Sequence, residues 1–172
     1  MPSLVGSEMC IRDRSQGGQH AWWSALYGLG VRTVVPIAGY IGDLTSNGCV
    51  ETAVLEVITS SRVRYGPMWQ KVVDWILDDQ FDSLKAVLPD PDELVTRVKM
   101  PVFLSLAYRD CLFAVNEGIR QFELLPGPKW LHLGTGYHGA EEVDMVTLTL
   151  LQLIFDWLDR YLKGSVPPDT VQ

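Results

Sequence analysis

The chain has 172 residues, of which 47% are hydrophobic and 20% charged, and its 21 acidic and 14 basic residues leave a net charge of −7. This length suits one domain, and an acidic balance without a run of lysine or arginine argues against nucleic acid or an anionic membrane as a partner. The longest apolar run, Val146 to Phe155, is well short of the roughly 20 residues that span a bilayer.

The first 14 residues, MPSLVGSEMCIRDR, lack the basic segment and the longer apolar segment of a signal peptide. The stretch LVGSEMCIRDR resembles a translated sequencing adaptor of the kind found at the ends of reading frames assembled from environmental DNA. On this interpretation residues 1–14 are a non-native leader and the natural sequence begins at Ser15. We therefore leave residues 1–14 out of the fold prediction, and we expect Ser15 to lie at a turn from a strand or a loop into a helix. On this interpretation any native targeting signal is missing.

Hydrophobic periodicity predicts the elements that follow. Apolar residues at helical spacing indicate a helix over Gln16–Leu29, and the β-branched run Val31–Ile37 is typical of a buried parallel strand. Residues 44–98 carry helical patterns and no strand, which predicts a helical insertion. Beyond it the pattern predicts a strand, a helix, a strand and a long amphipathic helix, at Pro101–Ala107, Val115–Leu124, Lys129–Leu133 and Glu141–Lys163.

Strands that alternate with helices in this way are typical of an α/β fold with a parallel sheet. Residues 165–172 contain Pro167-Pro168 and are interpreted as a tail or linker.

The first helix opens on Ser15-Gln16-Gly17-Gly18, the S-x-G-G form of a nucleophile elbow. A serine on a sharp turn into a helix needs small neighbours, and the backbone N–H of Gln16 would then point to where an oxyanion forms. Asp13 stands where the pattern has its first glycine, so the motif is incomplete. The alternative is that Ser15 only caps the helix.

A candidate acid and a candidate base follow two successive predicted strands. Asp110 comes directly after Pro101–Ala107, and His138 lies in the glycine-rich loop GTGYHGA after the next strand. The order serine, acid, histidine is that of an esterase-type triad, and parallel strands end at the sheet edge where α/β proteins bind ligands. We predict that His138 is the base for Ser15 and that Asp110 orients His138. The alternatives are a helix cap for Asp110, a solvated loop histidine for His138, and Asp43 as the acid.

Other reactive side chains have simpler interpretations. Cys111, beside Asp110, lacks a glycine elbow and is interpreted as a small packed side chain. The three cysteines include no C-x-x-C pair, and the three histidines have none of the spacings of a metal site. No metal and no cofactor is predicted.

The segments SQGGQ, YRDCLF, LPGPKWLHLGTGYHG and FDWLDRYLKG together resemble the second half of the α/β-hydrolase domain in the X-prolyl dipeptidyl-peptidase and cocaine-esterase-like serine hydrolases. The resemblance covers Ser15 to Gly164. It implies a triad of Ser15, Asp110 and His138, a core formed by residues 15–43 and 99–164, and a helical cap over residues 44–98. The chain departs from the family in lacking the first half of the sheet, the loop with the second oxyanion donor and the C-terminal β-sandwich.

These features predict a serine hydrolase that cleaves a small-molecule ester or a peptide through an acyl-enzyme, without a cofactor. The triad alone does not separate esters from peptides. We expect this fragment to be impaired on its own, because its elbow is poorly supported, and to form homo-oligomers through an exposed sheet edge. The alternative is a non-catalytic α/β scaffold or interaction fragment.

Overall fold

The computed structural model describes residues 9–41, 66–87, 89–138 and 146–164. Its elements in chain order are β1 (Met9–Arg14), α1 (Gln16–Leu26), β2 (Val31–Ile37), α2 (Pro67–Leu77), α3 (Phe81–Val87), α4 (Pro91–Thr96), β3 (Val102–Ala107), α5 (Val115–Leu124), β4 (Lys129–Gly134) and α6 (Val146–Leu162). The strands form one parallel sheet in the order β1-β2-β3-β4. The predicted α/β class is confirmed, and the carboxyl ends of all four strands lie along one edge.

The strand β1 lies inside the segment interpreted as a leader, so residues 9–14 take part in the sheet although the sequence analysis left them out of the fold. Residues 10–14 pair in parallel with residues 33–37 of β2, and Ile11 packs against the main core cluster. Main-chain hydrogen bonds carry this pairing, so a largely exposed sequence can add a strand to an open sheet edge. The adaptor origin of residues 1–14 stays a prediction.

The sheet has an apolar layer on each face, because successive side chains of a strand point to opposite sides. Val34 and Leu104 pack in one cluster with Trp22 of α1. Their neighbours Val35 and Phe103 pack in a second cluster with residues of α6, which are Leu150, Ile154 and Trp157. This alternation explains why β2 and β3 are nearly continuous runs of buried residues.

The predicted helical insertion, residues 44–98, contains helices of two kinds. The helices α2 and α3 pack on each other around Val72, Ile76 and Leu84. The helix α4 instead contacts α5, and Leu94 and Val95 are buried in the same cluster as Val34. The last predicted helix of the insertion therefore packs into the core of the sheet. The extent of a cap stays a prediction.

Several predicted boundaries fall outside the described residues. Among them are the first part of the predicted helical insertion, the candidate acid Asp43, the first residues of the final helix and the tail 165–172. The first helix ends at Leu26 rather than Leu29, because Gly28 and Gly30 adopt φ of 62° and 74°, which end the helical run before β2. The strands β2, β3 and β4 agree with prediction to within one residue at either end.

Candidate active site

Ser15 occupies a strained turn between β1 and α1, with φ 57° and ψ −126°. A serine rarely adopts a positive φ, and the surrounding main chain maintains it here. The N–H of Ser15 donates to the carbonyl of Ile37 at 2.9 Å, and its own carbonyl accepts from the N–H of Gln19 at 3.1 Å. A Cβ atom at Gly18 would lie 2.8 Å from the Ile37 oxygen, and one at Gly39 would lie 2.8 Å from the Ser15 oxygen. Glycine at both positions permits the turn.

Asp13 is accommodated by Gly17. A Cβ atom on Gly17 would overlap the carboxyl group of Asp13. Because Gly17 has no side chain, the first turn of α1 has room for Asp13 at the position where the elbow pattern has a glycine. The Asp13 carboxylate also accepts a hydrogen bond of 2.8 Å from the N–H of Arg14. Gln16 opens α1, so its N–H belongs to a first turn whose N–H groups have no acceptor within the helix.

His138 connects the serine to the acid. Its Nε2 lies 2.9 Å from Oγ of Ser15, and its Nδ1 lies 2.8 Å from Oδ2 of Asp110. Because an ionised carboxylate only accepts hydrogen bonds, Nδ1 carries the ring proton and donates a hydrogen bond to Asp110. Nε2 then accepts a hydrogen bond from the serine hydroxyl. Ser15 makes no side-chain hydrogen bond that caps α1, contrary to the alternative interpretation of this residue as a cap.

The loops after β3 and β4 run side by side and bring Asp110 to His138. The N–H of Tyr108 donates to the carbonyl of Gly134 at 2.8 Å, and the N–H of Arg109 donates to the carbonyl of Gly136 at 3.0 Å. These bonds continue the β3–β4 pairing past the end of the strands. The histidine loop therefore has a fixed register relative to the acid.

Asp110 is buried, with only 1% of its side chain exposed. Its Oδ1 accepts from the N–H groups of Leu112 at 2.8 Å and Phe113 at 2.9 Å, which leaves Oδ2 for His138. The residue before α5 is Ala114, so Asp110 does not cap that helix. A buried carboxylate with three donors is held in a single orientation.

The structure thus brings together the three side chains that the sequence predicted to converge. A serine hydroxyl bonded to a histidine, which is in turn oriented by a buried carboxylate, can pass its proton to the histidine as the hydroxyl attacks an electrophile. Asp43, the alternative acid, lies outside the described residues.

The other histidines and Cys111 take no part in the hydrogen bonds that join His138 to the serine and the acid. Nδ1 of His132 is 3.0 Å from Oγ of the buried Ser105, across the β3–β4 pair, while His20 is exposed. Cys111 is also exposed, so its interpretation as a packed side chain is wrong. In the described part of the chain no group of three or more His, Cys, Asp and Glu residues could hold a metal ion. Among the same residues no helix is long and apolar enough to cross a membrane.

Sequence reasoning missed an aromatic contact at the site. The ring of Phe113 stacks on the imidazole of His138, with centroids 5.6 Å apart and planes 20° apart, and Tyr40 meets Phe113 edge-on at 5.3 Å. The only available signal was that Phe113 lies three residues after the candidate acid in YRDCLF.

No family model and no curated protein matches the sequence. Solved structures match it in fold. An esterase from Pyrococcus furiosus is 15% identical with a TM-score of 0.59 over 90% of this chain and 54% of its own. An acylaminoacyl peptidase from Pyrococcus horikoshii is 15% identical with a TM-score of 0.63 over 96% of this chain and 26% of its own. A serine hydrolase involved in carbazole degradation is 14% identical with a TM-score of 0.52, covering 89% and 65%.

These likenesses show a shared fold, and the chain spans about half the length of the first of these structures. The fold is a partial α/β-hydrolase fold, with its parallel sheet and flanking helices.

Proposed function

We propose that the protein is a serine hydrolase in which Ser15 is the nucleophile, His138 the general base and Asp110 the residue that orients the base. The observation that carries the proposal is the hydrogen-bonded chain from Oγ of Ser15 through both ring nitrogens of His138 to Asp110, at 2.9 and 2.8 Å. The similar solved structures, which include esterases, a peptidase and a serine hydrolase, support it.

In the acylation half-reaction, Oγ of Ser15 forms a bond to the carbonyl carbon of the substrate while its proton moves to Nε2 of His138. The carbonyl oxygen becomes an oxyanion. The N–H of Gln16 at the positive end of α1 is the proposed donor to that oxyanion. The tetrahedral intermediate then breaks its bond to the leaving group, which takes the proton from Nε2 and departs as an alcohol or an amine.

In the deacylation half-reaction, a water molecule attacks the acyl-serine carbonyl and gives its proton to Nε2 of His138. Collapse of the second tetrahedral intermediate breaks the bond to Oγ, which takes the proton back, and a carboxylic acid leaves. Asp110 stays ionised throughout and stabilises the imidazolium that forms twice in each cycle. Only these side chains and water take part, so the proposed route uses no cofactor.

The proposed substrate is a small-molecule ester or a peptide. Both contain an acyl carbon that this route can attack, and the triad alone does not select between them. The likeness of SQGGQ, YRDCLF and LPGPKWLHLGTGYHG to the X-prolyl dipeptidyl-peptidase and cocaine-esterase-like hydrolases makes that family the specific proposal for this chain.

A fluorophosphonate probe tests the proposal directly, since it forms a stable bond with an activated serine. We expect the 172-residue chain to gain one probe by intact mass, and peptide mapping to locate it on Ser15. Ser15→Ala should not react, while Ser24→Ala, which changes a serine of α1 bonded to the His20 carbonyl, should react at the rate of the unchanged chain. A folded chain that stays unlabelled, or a label that persists in Ser15→Ala, would support the alternative of a non-catalytic scaffold.

We further propose that turnover by this chain is slow. The Asp13 carboxylate lies against the first turn of α1, where the oxyanion would be held, and a negative charge there opposes the developing one. Hydrolysis of p-nitrophenyl acetate measures this. Fast release of p-nitrophenol that Ser15→Ala abolishes would support the hydrolase and contradict the impairment.

Self-association through β1 completes the proposal, because an edge strand presents main-chain groups to a second chain. In the described sheet β1 pairs only with β2. Sedimentation equilibrium should show dimers or larger species as concentration rises, and a monomer throughout would contradict this.

A further inference from the structure

The ring of Phe113 lies against the imidazole of His138, while the main chain of the same residue binds Asp110. The two rings are nearly parallel, at 20°, with centroids 5.6 Å apart, which is an offset-stacked arrangement. The N–H of Phe113 donates to Oδ1 of Asp110 at 2.9 Å. Phe113 therefore contacts both His138 and Asp110, the two residues that line up behind Ser15.

Phe113 is itself held in place. It is buried, with 8% of its surface exposed, and the ring of Tyr40 meets it edge-on at 5.3 Å and 87°. Tyr40 is 2% exposed and belongs to a short segment after β2 that is hydrogen-bonded to α5. The buried side chain of Gln121 accepts from the N–H of Ile41 at 3.0 Å and donates to its carbonyl at 2.7 Å. The stack on His138 is thus anchored to the sheet and to α5.

His138 needs such a support. Its side chain is 19% exposed, and its two ring hydrogen bonds act in the plane of the ring. Apart from the bond to its own main chain, which lies in a loop, these hydrogen bonds oppose a tilt of the ring only weakly. A flat apolar surface against one face restricts that tilt. A base that tilts away from Ser15 loses the alignment on which proton transfer depends.

We propose that Phe113, backed by Tyr40, is a positioning residue that keeps the imidazole of His138 in the plane in which Nε2 faces Ser15 and Nδ1 faces Asp110. The inference rests on the proposed function and adds a residue that acts through the base rather than on substrate.

The test compares variants that remove or keep the ring. Phe113→Leu and Phe113→Met keep an apolar side chain and the N–H to Asp110 but lose the flat surface, and Phe113→Tyr keeps it. We expect the fluorophosphonate labelling rate to fall about tenfold in the first two and to stay within about twofold in the third, which is the size of effect that one aromatic pair supports. Phe122→Leu, a half-buried phenylalanine of α5 that packs in the core, is the matched control and should label normally.

A spectroscopic measurement reads the stack without relying on activity. In the unchanged chain the ring C–H resonances of His138 should be shifted upfield by the Phe113 ring relative to those of the exposed His20, and Phe113→Leu or Phe113→Met should remove the shift. A folded ring-less variant that labels at the original rate, a Phe113→Tyr variant as slow as Phe113→Leu, or an unshifted His138 would overturn the inference. Failure of the proposed function is a different result, namely no Ser15-dependent label in the unchanged chain.

Discussion

The strand before the candidate nucleophile and the strand before the candidate acid differ sharply in burial. Most residues of β1 are exposed, and in the described sheet this strand pairs only with β2. All six residues of β3 are buried between β2 and β4. Asp110 thus follows the most buried strand and Ser15 follows the most exposed one.

This difference shows that the two halves of the site are positioned by different forces. The acid is placed by the core, because β3 is fixed on both sides and both faces. The serine is placed by direct main-chain contacts with the end of β2 and the residues after it, including the bond to the Ile37 carbonyl and the close approach of Gly39. The end of β2 is the common reference, since the N–H of Ala38 donates to the Ser105 carbonyl of β3 at 2.8 Å.

The largest expected effect comes from the buried half. Asp110→Asn keeps an oxygen for the N–H groups of Leu112 and Phe113 but lets His138 adopt the wrong tautomer. We expect the labelling rate at Ser15 to fall about 10⁴-fold with the fold retained. Asp74→Asn, an exposed aspartate of α2 that accepts from Gln70, is the control and should label normally. A loss of less than about tenfold would mean that Asp110 does not orient the base.

The next effect tests the main-chain contacts that hold the serine. In Gly39→Ala a methyl group would lie 2.8 Å from the carbonyl oxygen of Ser15, which cannot move without disturbing the turn. We expect urea unfolding to show a loss of about 1–3 kcal/mol of stability, the range for overpacking. Gly66→Ala, which meets no atom within 4 Å, should change the free energy of unfolding by no more than about 0.5 kcal/mol. An equal loss of stability in Gly39→Ala and Gly66→Ala would contradict the role of Gly39 in holding the Ser15 turn.

A comparable loss of stability is expected at the start of β2, away from the site. Thr33 accepts from the indole N–H of Trp157 at 2.7 Å and donates to the carbonyl of Pro101 at 2.9 Å. Thr33→Val leaves the buried indole N–H of Trp157 without its acceptor, while the Pro101 carbonyl keeps its bond from the N–H of Val34 at 3.2 Å. The substitution should cost about 1–3 kcal/mol in a urea titration. The control Thr96→Val changes an exposed threonine bonded to the Glu93 carbonyl. If its free energy of unfolding fell as much as that of Thr33→Val, the buried hydrogen bonds of Thr33 would not explain the loss.

The smallest effect addresses the exposed strand. Asp13→Asn removes the charge beside the first turn of α1 and keeps the shape of the side chain. We expect the labelling rate to rise by a few-fold, since a nearby negative charge opposes the oxyanion by about 1 kcal/mol when water screens it. The free energy of unfolding should fall by about 0.3–1 kcal/mol, because the charge also stabilises the helix start. An unchanged labelling rate would show that Asp13 does not influence the oxyanion site.

The sequence predicted the central part of the fold well. The runs Val31–Ile37 and Pro101–Ala107 are short and mostly apolar, which is typical of buried parallel strands, and glycines mark the end of the first helix. It also predicted which three polar side chains would meet. Asp110 and His138 each follow a predicted strand of a parallel sheet, whose strands end at one edge, and Ser15 belongs to the S-x-G-G motif at the start of a helix. Their catalytic roles stay a prediction until the labelling experiments are done.

Three features depended on contacts between distant residues. The sequence pattern of residues 9–14 does not predict a strand. These residues become a strand because they pair with the edge of β2. The helix α4 was assigned to the insertion because its local pattern matches that of α2 and α3, whereas its burial depends on meeting α5. The stack of Phe113 on His138 joins two loops 25 residues apart in a register that the β3–β4 pairing sets. Periodicity reports which residues are buried and at what spacing, but the choice of neighbour is made by the packed sheet.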